Sequence, residues 1–304
     1  MSRKSHKYSD IKGHQERGSK ELGSHIAQKK SELLDIASKD IISASPSTTI
    51  KQVAVIMDEN DVRRLPVIDA GTGRLKGLVT AIDILDYLGG GPKYKIIEKD
   101  FGGNFLKAIN CPISKIMRDS QYIVGDDPIE KAADIMVNKR SSCIPLVDSE
   151  EEQKVIGIIT EHDILPAGGD YGKTVSSIMN PKPICASEGM MLSDVAKVMV
   201  RNQVRRLPVI KEDELTGLVT VFDMLKYLEE GHYKGVFAEE NLSTRVGELM
   251  QKDVISVEED DDVSRIVQLI RETGKGGFPV ARDNRVLGIV TTTDILRWIY
   301  AHAD

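Results

Sequence analysis

One seven-residue block, Gly-h-h-Thr-x-x-Asp with h apolar, recurs four times in this chain of 304 residues: Gly77 to Asp83, Gly157 to Asp163, Gly217 to Asp223 and Gly288 to Asp294. A pattern that returns in register restricts the fold to copies of one small unit that stack or pair. The surroundings recur as well. Ahead of each block stands an apolar quartet at i, i+3, i+4 and i+7, the stripe of an amphipathic helix: Ile50, Val53, Ala54, Met57; Ile129, Ala132, Ala133, Met136; Leu192, Val195, Ala196, Met199; and Val263, Ile266, Val267, Ile270. Nine residues beyond the end of each quartet comes a proline, at Pro66, Pro145, Pro208 and Pro279.

After each proline the sequence predicts two short strands separated by polar turn residues, as in Val67-Ile68 and then Leu75 to Thr80 around Asp69, Gly71 and Gly73. A further short β run is predicted before each quartet: Ile41 to Ser43, Tyr122 to Val124, Ile184 to Ala186 and Val254 to Val257. A second helix is expected after each block, burying Ile84 and Leu85, Ile164 and Leu165, Met224 and Leu225, or Ile295 and Leu296. The unit is β-α-β-β-α, an α+β fold. One unit cannot cover both faces of its own sheet, so two are expected to pack sheet against sheet.

Val62 to Ile68 and Val204 to Ile210 are identical at all seven positions, which marks a pair duplicated whole. The expected organisation is therefore a first pair over residues 31–167, a second over 168–304, and a boundary near Ala167 to Lys173. Residues 1–30 carry eight Lys/Arg against three Asp/Glu and few apolar side chains, and are expected to form a flexible basic tail. With a net charge of −6 overall, the body is acidic and does not suit nucleic acid, which leaves the tail as the one segment able to meet such a partner.

Hydrophobic residues make up 40% of the chain, enough for a substantial core, and none of its apolar runs approaches the length of a membrane span or a secretory leader. A cytoplasmic protein is expected. Cys111, Cys143 and Cys185 are odd in number and widely spaced, which fits small core residues in a reducing compartment. No metal-ligand spacing occurs among the six histidines, and no nucleophile motif is present. Gly168 to Thr174 imitates a phosphate-binding loop, but Ala167 stands where its first glycine belongs and a helix is predicted before it. A non-catalytic protein is expected.

The chemistry lies in the repeated block. Thr80 and Asp83, Thr160 and Asp163, Thr220 and Asp223, and Thr291 and Asp294 have the spacing of a helix capping box, which needs no ligand. The same helix start also offers free N–H groups to a phosphate, and a carboxylate suits a ribose diol. Arg63-Arg64 and Arg205-Arg206 favour the second role in copies 1 and 3, because the guanidinium fork matches a phosphate. Copies 2 and 4 hold Ser142-Cys143 and Gly276-Gly277 at those positions. His162 and Thr293 precede their aspartates in copies 2 and 4, so unequal sites are expected.

These units resemble cystathionine-beta-synthase (CBS) domains, and the four-copy layout is similar to the gamma subunit of AMP-activated protein kinase and its archaeal stand-alone relatives. The resemblance covers Ser31 to the C-terminus and leaves out the tail. It implies two paired (Bateman) modules forming a disc, with AMP, ADP or ATP in the clefts as a non-covalent ligand. It further implies ribose on Asp83, Asp163, Asp223 and Asp294, and phosphate on Thr80, Thr160, Thr220, Thr291 and Thr293, with Arg63, Arg64, Arg205 and Arg206 as the basic positions. Fewer than four occupied clefts are expected, because the arginines stand in copies 1 and 3 alone. A regulatory sensor signalling to a protein partner follows. The alternatives are another adenosyl ligand such as S-adenosylmethionine, or a scaffold whose tail binds protein or nucleic acid.

Overall fold

The computed structural model describes residues 32–166, 169–229 and 242–301. The expected tail and the expected module boundary at 167–168 lie outside the described residues.

All four quartets form the helices predicted for them: Ile50–Glu59, Ile129–Asn138, Leu192–Asn202 and Val263–Thr273. Every quartet residue is buried except Ile129, which is partly so. The first helix shows why it starts where it does. The Thr49 side chain accepts the Gln52 N–H at 3.2 Å while the Gln52 side chain accepts the Thr49 N–H at 3.0 Å, so two donors without intrahelical partners are satisfied together.

Each helix feeds an antiparallel strand pair: Arg64–Ile68 with Leu75–Thr80, Cys143–Val147 with Val155–Thr160, Arg206–Lys211 with Glu214–Thr220, and Gly277–Arg282 with Arg285–Thr291. The strand expected before each quartet is shorter than predicted and starts later. It is reduced to single parallel bridges at Ala44 and Val257, and to the two-residue strands Ile123–Val124 and Ala186–Ser187. A second helix follows the block in repeats 1, 3 and 4, at Ala81–Leu85, Val221–Glu229 and Thr292–Ala301. Repeat 2 departs from expectation: residues 161–165 form a turn and a bend. Pro166 supplies the reason, since its ring denies the residue before it the helical conformation after only five positions. Ile164 and Leu165 are still buried.

The four units are joined in two directions. Backbone pairing ties repeat 1 to repeat 2, where Leu75 N–H donates to Gln153 O at 2.9 Å and Val155 N–H to Gly73 O at 3.1 Å. It also ties repeat 3 to repeat 4 through Leu215 N–H and Asn284 O at 2.8 Å, which makes their strands one five-stranded sheet. Apolar packing runs the other way. Met57, Ile84 and Leu88 of repeat 1 share a core with Leu192, Met199 and Met224 of repeat 3. Met136 and Ile164 of repeat 2 share another with Ile266, Ile270 and Ile295 of repeat 4. Where face-to-face packing of sheets was expected within a pair, the backbone contacts are edge to edge, and the shared apolar cores join repeat 1 to repeat 3 and repeat 2 to repeat 4. Two paired modules form a disc. Among the described residues no helix is long and apolar enough to cross a membrane.

Candidate functional site

Where each second strand ends, the block threonine and aspartate lock onto one another. The threonine N–H donates to aspartate Oδ2 at 2.9, 2.7, 2.7 and 2.9 Å in repeats 1 to 4. Its hydroxyl donates to the same oxygen at 2.6, 2.8, 2.7 and 2.6 Å. Oδ2 makes the same pair of bonds in every copy, capping a helix in repeats 1, 3 and 4 and a turn in repeat 2, and Oδ1 is the oxygen left for other partners. Those partners differ. Asp83 Oδ1 accepts from Lys93 Nζ at 2.7 Å, Asp223 Oδ1 from Gln251 Nε2 at 2.9 Å, and Asp294 Oδ1 from Arg297 Nη1 at 3.1 Å. Asp163 Oδ1 accepts no hydrogen bond among the described residues.

The arginines of repeats 1 and 3 converge from opposite sides of the disc. Arg205 Nη1 donates to Ser142 Oγ at 2.9 Å, and Arg64 Nη1 meets the same hydroxyl. Arg206 Nη1 donates to Gly277 O at 2.6 Å, and the Arg63 guanidinium lies 5.0 Å from the centroid of the Phe222 ring. The small residues of repeats 2 and 4 give this convergence its room. A Cβ on Gly277 would sit 3.0 Å from Arg206 Nη1, 2.9 Å from Val290 O and 2.9 Å from Thr291 Cγ2. Arginine in two copies and Ser-Cys or Gly-Gly in the other two are complementary halves of one centre.

Electrostatically the centre is unbalanced. Burial, then repulsion from Arg205, pulls Arg64 down to about 9. Burial, then repulsion from Arg63 and Arg205, pulls Arg206 down to about 9 as well, and Arg63 is lowered by burial and then by Arg205. A buried cation surrounded by like charges is costly unless an anion accompanies it. The buried carboxylate of the centre is Glu161, 6% exposed, whose Oε2 is 3.9 Å from Arg205 Nη2 and whose Oε1 accepts the Thr293 hydroxyl at 2.5 Å. Glu161 attracts Arg63, Arg64 and Arg206 as well, and the exposed Asp61 attracts Arg63, so two carboxylates face four guanidiniums.

Around this core lie three clefts, of about 520, 360 and 250 Å³, which contain Asp294, Asp163 and Asp223 respectively. Arg63, Arg205 and Arg206 line all three, and Arg64 lines the larger two. Burial raises the carboxyls of Asp163 and Asp294 above their ordinary range, and burial followed by Arg63 lowers the His162 imidazole. Of the residues singled out in the sequence, Arg63, Arg64, Arg205, Arg206, Thr160, Asp163, Thr220, Asp223, Thr291, Thr293 and Asp294 line these clefts. Thr80 also lines the largest, and Asp83 lines none of the three. Glu161, Ser142, Phe222 and Lys93 were not anticipated. Glu161 had one visible signal, an acid after the block threonine where the other copies have Ala81, Val221 and Thr292. Among the described residues no cluster of His, Cys, Asp or Glu is arranged to hold a metal.

Comparison with known proteins agrees with this architecture. The CBS domain family matches residues 33–90, 113–169, 175–230 and 246–301. The uncharacterized protein MJ1225 of Methanocaldococcus jannaschii is 35% identical over 269 residues, 86% of this chain and 95% of that protein. Its crystal structure, described as that of a proposed archaeal homologue of the gamma subunit of AMP-activated protein kinase, superposes with a TM-score of 0.80 over 88% of this chain and 99% of the other, at 33% identity. The gamma subunit of 5'-AMP-activated protein kinase from Kluyveromyces lactis is 26% identical over 85% of each chain. Four block registers, their paired packing and the family match together place this chain in the CBS domain family, with four CBS repeats and relatives among the gamma subunits of AMP-activated protein kinase.

Proposed function

We propose that this protein is a non-catalytic sensor of adenosine nucleotides. The observation that carries the reading is the convergence of Arg63, Arg64, Arg205 and Arg206 on a centre with the single buried carboxylate of Glu161. A phosphate group supplies the missing negative charge, and its oxygens match the guanidinium forks. Clefts of 250 to 520 Å³ suit one nucleotide each. In them Asp163, Asp223 and Asp294 take the ribose and the neighbouring hydroxyls meet the phosphate. The kinship with a subunit of a kinase named for its activation by AMP favours the adenosine base.

Occupancy reaches a protein partner through the packing between modules, because Arg205 of repeat 3 and Arg64 of repeat 1 share Ser142 of repeat 2. A ligand that favours one arrangement of these contacts shifts the whole disc, with a coupling of about 1–3 kcal/mol. We place the division between modules near residues 167–168, and the unpaired cysteines Cys111, Cys143 and Cys185 fit a cytoplasmic setting.

A thermal-unfolding panel with AMP, ADP, ATP, S-adenosylmethionine and inorganic phosphate tests the reading. A ligand at 100 times its Kd stabilises the fold by about 2.7 kcal/mol. The nucleotides are expected to raise the midpoint strongly and phosphate weakly. A response to S-adenosylmethionine alone would reassign the ligand, and no response to any would end the sensor reading.

A further inference from the structure

Asp83 differs from its three counterparts in burial and in the cations that hold it. It is 7% exposed, whereas Asp163, Asp223 and Asp294 are only partly buried. Its carboxylate is held at both oxygens by cations: Oδ2 takes the Thr80 N–H and hydroxyl and has Arg118 Nε at 3.6 Å, and Oδ1 takes Lys93 Nζ at 2.7 Å. Of the about four hydrogen bonds a carboxylate accepts, three are taken, and the one on Oδ1 is charge-assisted, so a diol reaches that oxygen only by displacing or sharing the ammonium.

Lys93 is no loose surface lysine. Nζ also donates to Ile116 O at 2.8 Å, and the Lys93 N–H donates to Asp86 Oδ1 at 2.9 Å. The chain reaches this position through a π-type turn over Asp86–Gly90 and the glycines that close it. Gly89 has φ 134°. A Cβ on Gly90 would lie 2.7 Å from Val200 Cγ2 and 2.8 Å from Leu85 O, and one on Gly91 would lie 2.7 Å from Asp86 Oδ1. The loop is thus seated against the Leu192–Asn202 helix of repeat 3, and that packing aims the ammonium at Asp83. It belongs to the stretch after residue 90 and before residue 113, which the family match omits.

The other clefts offer a ribose a cheaper exchange. Asp163 Oδ1 is open, Asp223 gives up a neutral amide, and Asp294 gives up Arg297, which is 54% exposed and free to return to water. At Asp83 a neutral hydroxyl would have to replace a charge-assisted bond to an ammonium that is half as exposed as Arg297, at 27%, and is held in place by Ile116 O.

We propose that Lys93 occupies the ribose position of repeat 1 from within the chain, so that nucleotide binds at the Asp163, Asp223 and Asp294 corners and not at Asp83. Lys93 is a specificity-determining residue of the disc, and the inference rests on the nucleotide reading of the other three corners.

The full-length protein is titrated with AMP by calorimetry, alongside Lys93→Met and the double variant Lys93→Met, Asp83→Asn. Lys93→Met is expected to bind one AMP more per chain than the wild type, and the double variant to lose that gain. In parallel, acetic anhydride labelling with peptide mass mapping follows Lys93 in the wild type. It is expected to be protected relative to the exposed Lys51, and equally so with and without saturating AMP. Labelling of Lys93 that rises on adding AMP overturns the proposal, as does a folded Lys93→Met that takes up no additional AMP. If Lys93→Met does not fold, the labelling decides alone. Absence of AMP binding in every protein would instead defeat the nucleotide reading and this inference with it.

Discussion

Repeats 1 and 3 reach the middle of the disc with a pair of arginines each, and repeats 2 and 4 reach it with Ser142-Cys143 and Gly276-Gly277. The first set supplies charge and the second supplies space. Gly277 yields room and a carbonyl to Arg206, and Ser142 holds Arg64 and Arg205 on one hydroxyl. Neither set forms an anion site by itself. Four like copies would either crowd the centre with eight guanidiniums or leave it without any, so the divergence between alternate repeats is what makes a shared site.

The comparison is broken most severely by filling the space. Gly277→Val places its Cβ within 3.0 Å of Arg206 Nη1, Val290 O and Thr291 Cγ2, and two of those neighbours are held by the strand. We expect a loss of about 3 kcal/mol in urea unfolding, together with loss of the nucleotide-induced shift. Wild-type stability in this variant would show that the glycine is incidental.

A smaller effect comes from removing the one buried counter-charge. Glu161→Gln removes the carboxylate buried beside the guanidiniums and is expected to cost about 2 kcal/mol in the free protein. Inorganic phosphate should recover more stability in this variant than it adds to the wild type, because it restores the missing charge. Equal gains in both would show that Glu161 does not balance the arginines.

The smallest effect sharpens the inequality of the corners through His162. Its folded-state pKa lies below the ordinary 6.5 because burial, and then Arg63, disfavour the imidazolium. A group whose folded pKa is depressed in this way resists protonation in the fold, so stability falls as pH drops through 6.5 toward the folded value and is unaffected by this group well above it. AMP in the Asp163 cleft offsets Arg63 and should raise the His162 pKa in an NMR titration. An unchanged titration in saturating AMP would remove that corner from the site.

The helices, their buried quartets and the strand pairs were legible because each is a local pattern whose period the chain must satisfy. Ile164 and Leu165 read as a helix face and are buried, but Pro166 stops the turn, a local veto that the repeat pattern obscured. The opening strands were read too long because their pairing is with a neighbour that limits it to one or two residues. The site was half legible. Residue types in the block pointed to ribose and phosphate chemistry, whereas the meeting of Arg205 with Ser142 spans 63 residues and that of Arg206 with Gly277 spans 71. No local pattern reports such a meeting. Lys93 was hidden for the opposite reason, lying ten residues from Asp83 in a glycine-rich loop that reads as a connector.

The account stands on a centre whose positive charge awaits a phosphate, and calorimetry with AMP against adenosine addresses that directly. The two ligands share base and ribose, so their difference isolates the arginines. AMP is expected to bind at least about 100-fold more tightly, worth about 2.7 kcal/mol, and Arg206→Met to erase most of that margin. Adenosine binding as tightly as AMP, or a margin untouched by Arg206→Met, would contradict it.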